Sequence, residues 1–378
     1  MKNRRLSLFV ILIVLFTILF FNESCKKSNK TKIIKIYGNL PLTGPISLFS
    51  GRYPLGFKLG LEDACKKFNV NLDTFKVDFQ DNQGKSTAAT YVMRKQLFSH
   101  PDIYISGTSQ MSEAVIPEIS KLNIPHFLVS FEETLAIKYP NTFIILPNFK
   151  LEAPLFVKFI ISNNAKRVFL FTPNLKAYLH QYDTYIIPEI KKHNINYHRE
   201  LFEFNQKDFH SIVLKAIEYN PDVIIVSGYA FHLFPILKLL KQYNMEKKSK
   251  IMATLDYIDL ISDQMKNNSI SGMAFTSPLC EIPGKTENFQ IWKNFFSQKF
   301  GKTPTYVDAY AYDTAQILVK AYKTYGKIDN KSIIKVIPFN GIVGRITVDK
   351  YGILNSTLTI GFFSEDKKIQ EWTPEVYK

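Results

Sequence analysis

Short apolar runs alternate with amphipathic helical stretches along almost the whole chain, and this alternation restricts the fold more than any other feature. The clearest run is Asp222-Val223-Ile224-Ile225-Val226. Its continuous apolar character fits a strand covered on both faces, as in parallel sheets. Leu233, Ile236, Leu237 and Leu240 then recur at helical spacing behind it. The same pairing begins at Ile33 to Tyr37, with a helix through Phe57, Leu61, Ala64, Cys65 and Phe68. It continues through strands at Lys76 to Phe79, Ile103 to Ser106, Pro125 to Val129 and Thr142 to Leu146. A second series contains the strands Arg167 to Phe171, Asp222 to Val226, Lys250 to Ala253 and Gly272 to Phe275. Strands joined by helices predict an α/β fold with parallel sheets and right-handed crossovers. Only the tail changes character, since Gly341 to Gly352 and Thr357 to Phe363 alternate like antiparallel strands with a turn. At 378 residues the chain exceeds a comfortable single core, so two lobes are expected.

The first 25 residues read as an export signal. Lys2, Arg4 and Arg5 precede an apolar run from Leu6 to Phe21, and Asn22-Glu23-Ser24-Cys25 follows it. The run is short for a membrane span, and a small residue stands directly before a cysteine. The pattern resembles the lipobox of bacterial lipoproteins, although Asn22 and Glu23 replace its usual aliphatic and small residues. On that reading residues 1–24 are removed, Cys25 is lipidated, and residues 25–32, rich in lysine, form a solvated tether. An uncleaved anchor helix is the alternative. Either way the rest of the chain is expected to work outside the cytoplasm.

The formal charge of +15 does not argue for nucleic acid, because the cations are spread over helix faces without an aromatic-interleaved basic stripe. Beyond Cys25, only Cys65 and Cys280 are present, which excludes a disulfide scaffold and allows one bridge at most. Cys65 lies on the apolar face with Leu61, Ala64 and Phe68 and reads as a buried thiol. No nucleophile elbow, phosphate-cradling glycine loop or His-Glu-x-x-His helix occurs. His193 and His198 have neither cysteine nor paired acids nearby, and Glu132-Glu133 and Glu62-Asp63 are adjacent rather than facing. Neither an enzyme nor a metal or other cofactor is expected.

In open α/β sheets ligands sit beyond the carboxyl ends of the strands, beside helix N-termini. Three loops have suitable residues: Asn39 to Pro45, which includes Thr43; Gly107 to Ser112, with Ser109, Gln110 and Ser112; and Ser130 to Thr134, with Phe131. Helix capping is the competing role for Ser109, Ser112 and Thr134.

The Pro41-Leu42-Thr43-Gly44-Pro45 loop, Asp81, Gly107-Thr108-Ser109 and Ile124-Pro125 resemble the first lobe of the branched-chain amino-acid binding proteins. Pro221 to Ile225, Ala309 to Ala315 and Gly341 to Thr347 extend the match, in order, over nearly the whole mature chain. Those are type I periplasmic binding proteins that deliver ligand to ABC importers. The resemblance implies two Rossmann-like α/β lobes joined by three crossover segments, with a ligand cleft between them. It divides the chain into lobe 1 (33–147 and 277–330) and lobe 2 (148–276 and 331–378). It places Ser109, Gln110, Ser112, Ser130 and Phe131 near a ligand carboxylate, and Tyr178 and Tyr229 as aromatics closing over the ligand. Leu255 stands where an acidic partner for an ammonium is usual, with Asp256 one residue along. Half-buried packing for the two tyrosines, and capping of the Tyr257 helix by Asp256, are the plainer roles. Amides, urea and aromatic acids stay open beside amino acids as ligands. The implied partners are a small molecule, a membrane permease and, through Cys25, the bilayer, with a monomeric receptor. A ligand-sensing or surface-interaction lipoprotein without a transport role is the other function compatible with the fold.

Overall fold

The computed structural model describes residues 32–262 and 270–377. Residues 34–378 make one compact unit, and the segment expected to be an export signal, Cys25 and most of the expected tether lie outside the described residues.

The first sheet contains β1 (Ile34–Leu40), β2 (Phe75–Asp81), β3 (Ile103–Gly107), β4 (His126–Val129) and β5 (Thr142–Ile144) in the order β2-β1-β3-β4-β5. All four pairings are parallel. The second sheet contains β6 (Arg167–Pro173), β7 (Asn196–Phe202), β8 (Val223–Val226), β9 (Lys250–Ala253) and β10 (Met273–Pro278), all parallel. It is completed by β14 (Leu358–Phe363) and β15 (Ile369–Glu371), which run antiparallel, giving the order β15-β14-β10-β9-β8-β6-β7. A small antiparallel sheet of β11 (Phe339–Gly341), β12 (Gly344–Val348) and β13 (Leu354–Asn355) lies between β10 and β14 in sequence. Every side chain of β8 is buried, as its unbroken apolar run requires of a central parallel strand.

The chain passes between the two lobes three times: after β5, after β10 and after β13. Six helices bear on the site or its frame: α1 (Tyr53–Phe68), α2 (Ser109–Ile119), α3 (Phe149–Ser162), α4 (Ala230–Gln242), α5 (Tyr257–Ser262) and α6 (Tyr306–Tyr325). Helix α6 starts at a capping box, in which Asp308 accepts from the Thr305 N–H at 2.8 Å, and stops at Gly326 with φ of 68°. It returns the chain to the first lobe by packing on α1. Gly56 and Gly60 of α1 permit the close approach: a Cβ would come within 2.2 Å of the Asp308 carbonyl oxygen at the first and 2.3 Å of that of Tyr312 at the second. The helix Asn330–Lys335 and β11 also pack on α6, and Ile353 bridges to Ile144 of β5. Cys65 and Cys280 are buried and free, so the single bridge the sequence allowed is not formed.

Candidate functional site

The carboxyl ends of the parallel strands in both sheets supply the residues of the cleft. From the first sheet, β3 runs into Thr108 and α2, so Ser109 occupies the first helical position. Its hydroxyl shares a 2.8 Å hydrogen bond with the Ser130 hydroxyl at the end of β4, and Ser130 also accepts the Glu132 N–H at 3.1 Å. Neither Ser109 nor Ser112 caps α2. Ser112 lies one turn behind Ser109, fully buried, and its hydroxyl meets Ser106 at 2.8 Å. Ser106 in turn meets His126 Nε2 at 2.8 Å. Burial pushes the His126 imidazole down to about 3, so this Ser112-Ser106-His126 chain is neutral and braces the floor under Ser109.

Gln110 is exposed on α2. Thr43 also stands apart: it is exposed, and its hydroxyl and N–H both donate to Asp81. Burial alone raises the Asp81 pKa, but hydrogen bonds from Thr43, Gln83 and Leu42 outweigh it and hold this carboxyl below its usual value. Thr43 thus fastens the first loop to β2. Thr134 does not cap either, since its hydroxyl donates to Glu132 at 2.7 Å.

Five aromatic rings close a circuit across the cleft. Phe49 lies 5.3 Å from Phe131 between ring centroids, Phe131 lies 5.7 Å from Phe149, and Phe149 lies 5.1 Å from Tyr178. Tyr178 meets Tyr229 edge-on at 6.3 Å, and Tyr229 returns to Phe49 at 6.2 Å. Phe49 lies in the short helix Ser47–Ser50 after β1, Phe131 in the loop after β4, Phe149 opens α3 at the first crossover, and Tyr178 and Tyr229 follow β6 and β8.

Asp256 follows β9 and is buried beside this circuit, with no hydrogen-bond partner for Oδ1 among the described residues. Burial, and then the neighbouring Glu152 charge, push its pKa well above the usual carboxylate range. Burial and then Asp256 itself raise the phenols of Tyr178 and Tyr229. Tyr229 lies against both Asp256 and Thr108, which links the acidic side of the site to the hydroxyl side. Tyr306, the first residue of α6, is buried with its hydroxyl unpartnered among the described residues and also senses Asp256.

Glu152 is a residue that sequence reasoning missed. It is buried and accepts from Gln181 Nε2 at 2.8 Å, from the Leu255 N–H at 3.3 Å and from the Thr276 hydroxyl. Burial raises its pKa despite these donors. Its signal was available, because it falls on the apolar face of α3 with Phe149, Ala153 and Phe156. Phe49, Phe149 and Tyr306 carried no such signal. At the mouth, Tyr185 donates to Glu133 at 2.7 Å, His180 Nε2 lies 3.3 Å from the same carboxylate, and Lys176 pairs with Glu113.

Among the described residues no group of three or more His, Cys, Asp or Glu is disposed to hold a metal ion, and no helix is long and apolar enough to cross a membrane.

Comparison with solved structures shows the same architecture at low sequence identity. The leucine-binding protein LivK of Thermotoga maritima is 20% identical with a TM-score of 0.76, over 90% of this chain and 98% of that one. The branched-chain amino-acid binding protein LivJ of Streptococcus pneumoniae, solved with isoleucine, is 18% identical with a TM-score of 0.78, over 90% and 99%. An ABC-transporter solute-binding protein of Rhodopseudomonas palustris, solved with 3,4-dihydroxybenzoic acid, is 14% identical with a TM-score of 0.78, over 90% and 96%. No curated protein sequence matches the chain. The family model described as periplasmic binding protein matches residues 34–359, so the chain belongs to the periplasmic binding protein family, in its two-lobed type I form.

Proposed function

We propose that this protein is the extracytoplasmic solute receptor of an ABC importer, capturing a small molecule of the amino-acid class between its lobes. The observation that carries the reading is the polarity of the cleft. Ser109, Ser130 and the N-terminus of α2 offer hydrogen-bond donors on one side, and Asp256 offers a buried carboxylate oxygen without a partner on the other. Such a pair of ends suits a zwitterion, with its carboxylate at the helix terminus and its ammonium at Asp256. That relatives of the same fold hold isoleucine in one case and a dihydroxybenzoic acid in another agrees with a small carboxylate ligand. Lobe closure would supply affinity by stabilising a state that is rare without ligand.

Lobe 1 is taken as residues 33–147 with 277–355 and lobe 2 as 148–276 with 356–378. The last boundary is drawn after Asn355 rather than at 330, because the helix Asn330–Lys335 and β11 pack on α6. The lipid on Cys25 and the tether to Lys32 would hold the receptor beside its permease at high effective concentration. Replacing Cys25 with serine is expected to release the protein from membranes, whereas retention would favour the uncleaved anchor. Ligand class is tested by a thermal-shift screen of the full-length protein against amino acids, amides, urea and aromatic acids, in which a bound ligand raises the melting temperature by mass action. If no amino acid or small carboxylate gives a shift, the reading fails.

A further inference from the structure

The amino ends of the strands in the first sheet form a face on the far side from the cleft. Loops reach it side by side, because the order β2-β1-β3-β4 is parallel throughout and the pairs Ile34 with Phe75, Ile36 with Ile103 and Tyr104 with His126 keep the strand starts level. Three of these loops display a large apolar side chain to solvent. Leu72 precedes β2, Phe98 precedes β3 and Leu122 precedes β4, so the row covers about 14 Å at ~4.8 Å per strand. Phe98 is 86% exposed, more than any other large apolar side chain among the described residues. Single exposed apolar residues are ordinary on a surface, whereas a row of them marks a contact surface. The loops are also braced. The Lys35 N–H donates to Asp102 at 2.9 Å, Lys35 Nζ donates to the Ser99 carbonyl at 2.6 Å, and the Asn141 amide donates to Asn123 at 2.6 Å.

Charge on this face is mostly positive. The helices that lead back to it end in cations or are followed by one: Lys66 and Lys67 on α1, Arg94 and Lys95 on the helix Ser86–Leu97, Lys121 after α2, and Lys138 on the helix Thr134–Lys138. Glu118 takes Arg94, whereas Lys95, Lys121 and Lys138 form no ion pair among the described residues. Asp73 and Asp102 are the acids of these loops, and Asp102 is engaged by the Lys35 N–H. The chain also enters here, since Ile34 starts β1 between the loops of Leu72 and Phe98. If Cys25 carries a lipid, about nine residues join it to β1, roughly 15–18 Å as a flexible coil and about 30 Å at full stretch. Apolar tips set among lysines at that distance suit the headgroup layer of a bilayer. We propose that this face docks on an anionic phospholipid surface, with Phe98 and Leu122 entering the headgroup layer and Lys95, Lys121 and Lys138 meeting lipid phosphates. In that pose the cleft, at the other ends of the strands, stands roughly 23 Å above the headgroups. The docking goes beyond the receptor reading and rests on its membrane anchor.

The test reconstitutes the full-length protein in vesicles of brominated phosphatidylcholine, with and without phosphatidylglycerol, and reads indole fluorescence. Trp292 and Trp372 are buried, so Phe98→Trp adds the exposed indole. Tyr91→Trp is the control, because Tyr91 is also exposed but lies about 10 Å further up the same helix. With phosphatidylglycerol present, the added emission of Phe98→Trp is expected to be quenched and shifted to the blue, and that of Tyr91→Trp is not. Lys121→Gln in the Phe98→Trp protein is expected to lower the docked-to-free ratio about fivefold. Salt at about 1 M, which shortens the screening length to about 3 Å, should reverse the quenching. Equal quenching of Phe98→Trp and Tyr91→Trp overturns the docking. A blue shift without quenching would mean that a second copy of the chain covers the ring, and overturns it as well. Protein that floats with the vesicles but shows no change at Phe98→Trp leaves this face to a protein partner, so the docking falls while the anchor stands. Protein that does not float with them overturns both.

Discussion

The Tyr185 hydroxyl donates to the buried Glu133 carboxylate at 2.7 Å, tying the loop that follows β4 to the helical segment that follows β6. The bond therefore joins the two lobes at the mouth of the cleft. A hydrogen bond to a charged partner contributes about 1.5–3 kcal/mol, and here that energy bears on the closed state. Tyr185→Phe is expected to open the protein, seen as a larger radius of gyration in small-angle scattering. The nearby Lys176–Glu113 pair is well exposed on both sides, so Lys176→Ala should leave the radius unchanged. The same radius for Tyr185→Phe and the parent protein would show that Glu133 does not hold the lobes together.

Affinity for a cationic ligand should depend on pH through Asp256. Among the described residues the groups facing this carboxyl are Glu152, Tyr178, Tyr229, Tyr306 and Asp259, none of them cationic. Because its pKa is raised by burial, the empty folded protein holds the proton more firmly than the unfolded chain. Stability without ligand thus falls as pH rises from the unfolded value, near ~3.9, through the folded one. Binding of a ligand whose ammonium meets Asp256 runs the other way: it strengthens as Asp256 ionises and levels off above the folded pKa. Calorimetry across this range, on the parent and on Asp256→Asn, checks it. Identical profiles for the two proteins would remove Asp256 from the site.

His126 should stay neutral to well below pH 5. Its pKa is pushed down to about 3 by burial, so the folded state resists a proton that the unfolded chain accepts near ~6.5. Its contribution to stability is complete above that pH and is lost as pH falls toward 3, with about 2 kcal/mol gone at pH 5. Imidazole chemical shifts followed by NMR from pH 8 to 4.5 should show no titration for this residue. A midpoint near 6.5 would mean that the Ser112-Ser106-His126 chain is open to solvent.

Gly56→Ala and Gly60→Ala should each destabilise the protein by about 2–3 kcal/mol, because the added methyl groups meet backbone oxygens that cannot rotate aside. Chemical denaturation measures this directly. An unchanged midpoint would show that α1 and α6 can separate without loss.

Much of the frame was legible along the chain. The apolar run of β8, the helical stripe of α4 and the alternation in the tail are local periodicities, and the structure places a parallel strand, a helix and antiparallel strands there. Part of the site was legible for the same reason. Ser109 and Ser130 lie where strands run into helices or loops, and their hydroxyls meet. Ser112 and Thr43 came from the same loops, yet one turn of helix directs Ser112 toward His126, and Asp81 captures Thr43. The direction of a side chain within a loop depends on which partner lies nearest in space, and spacing does not carry that information.

The sequence by itself determined most of the alternating strands and helices and the α/β class, because strand and helix patterns are written in residues two to four positions apart, and chain length added the expectation of two lobes. Only the tertiary structure decided that Phe49, Phe131, Phe149, Tyr178 and Tyr229 form one circuit and that Asp256 is buried beside it with no hydrogen-bond partner for Oδ1 among the described residues. Those contacts join residues far apart in the chain and exist only when the carboxyl ends of two separate sheets are brought together. Burial, which gives Asp256 and Glu152 their unusual chemistry, is likewise a property of the closed fold and not of any segment within it.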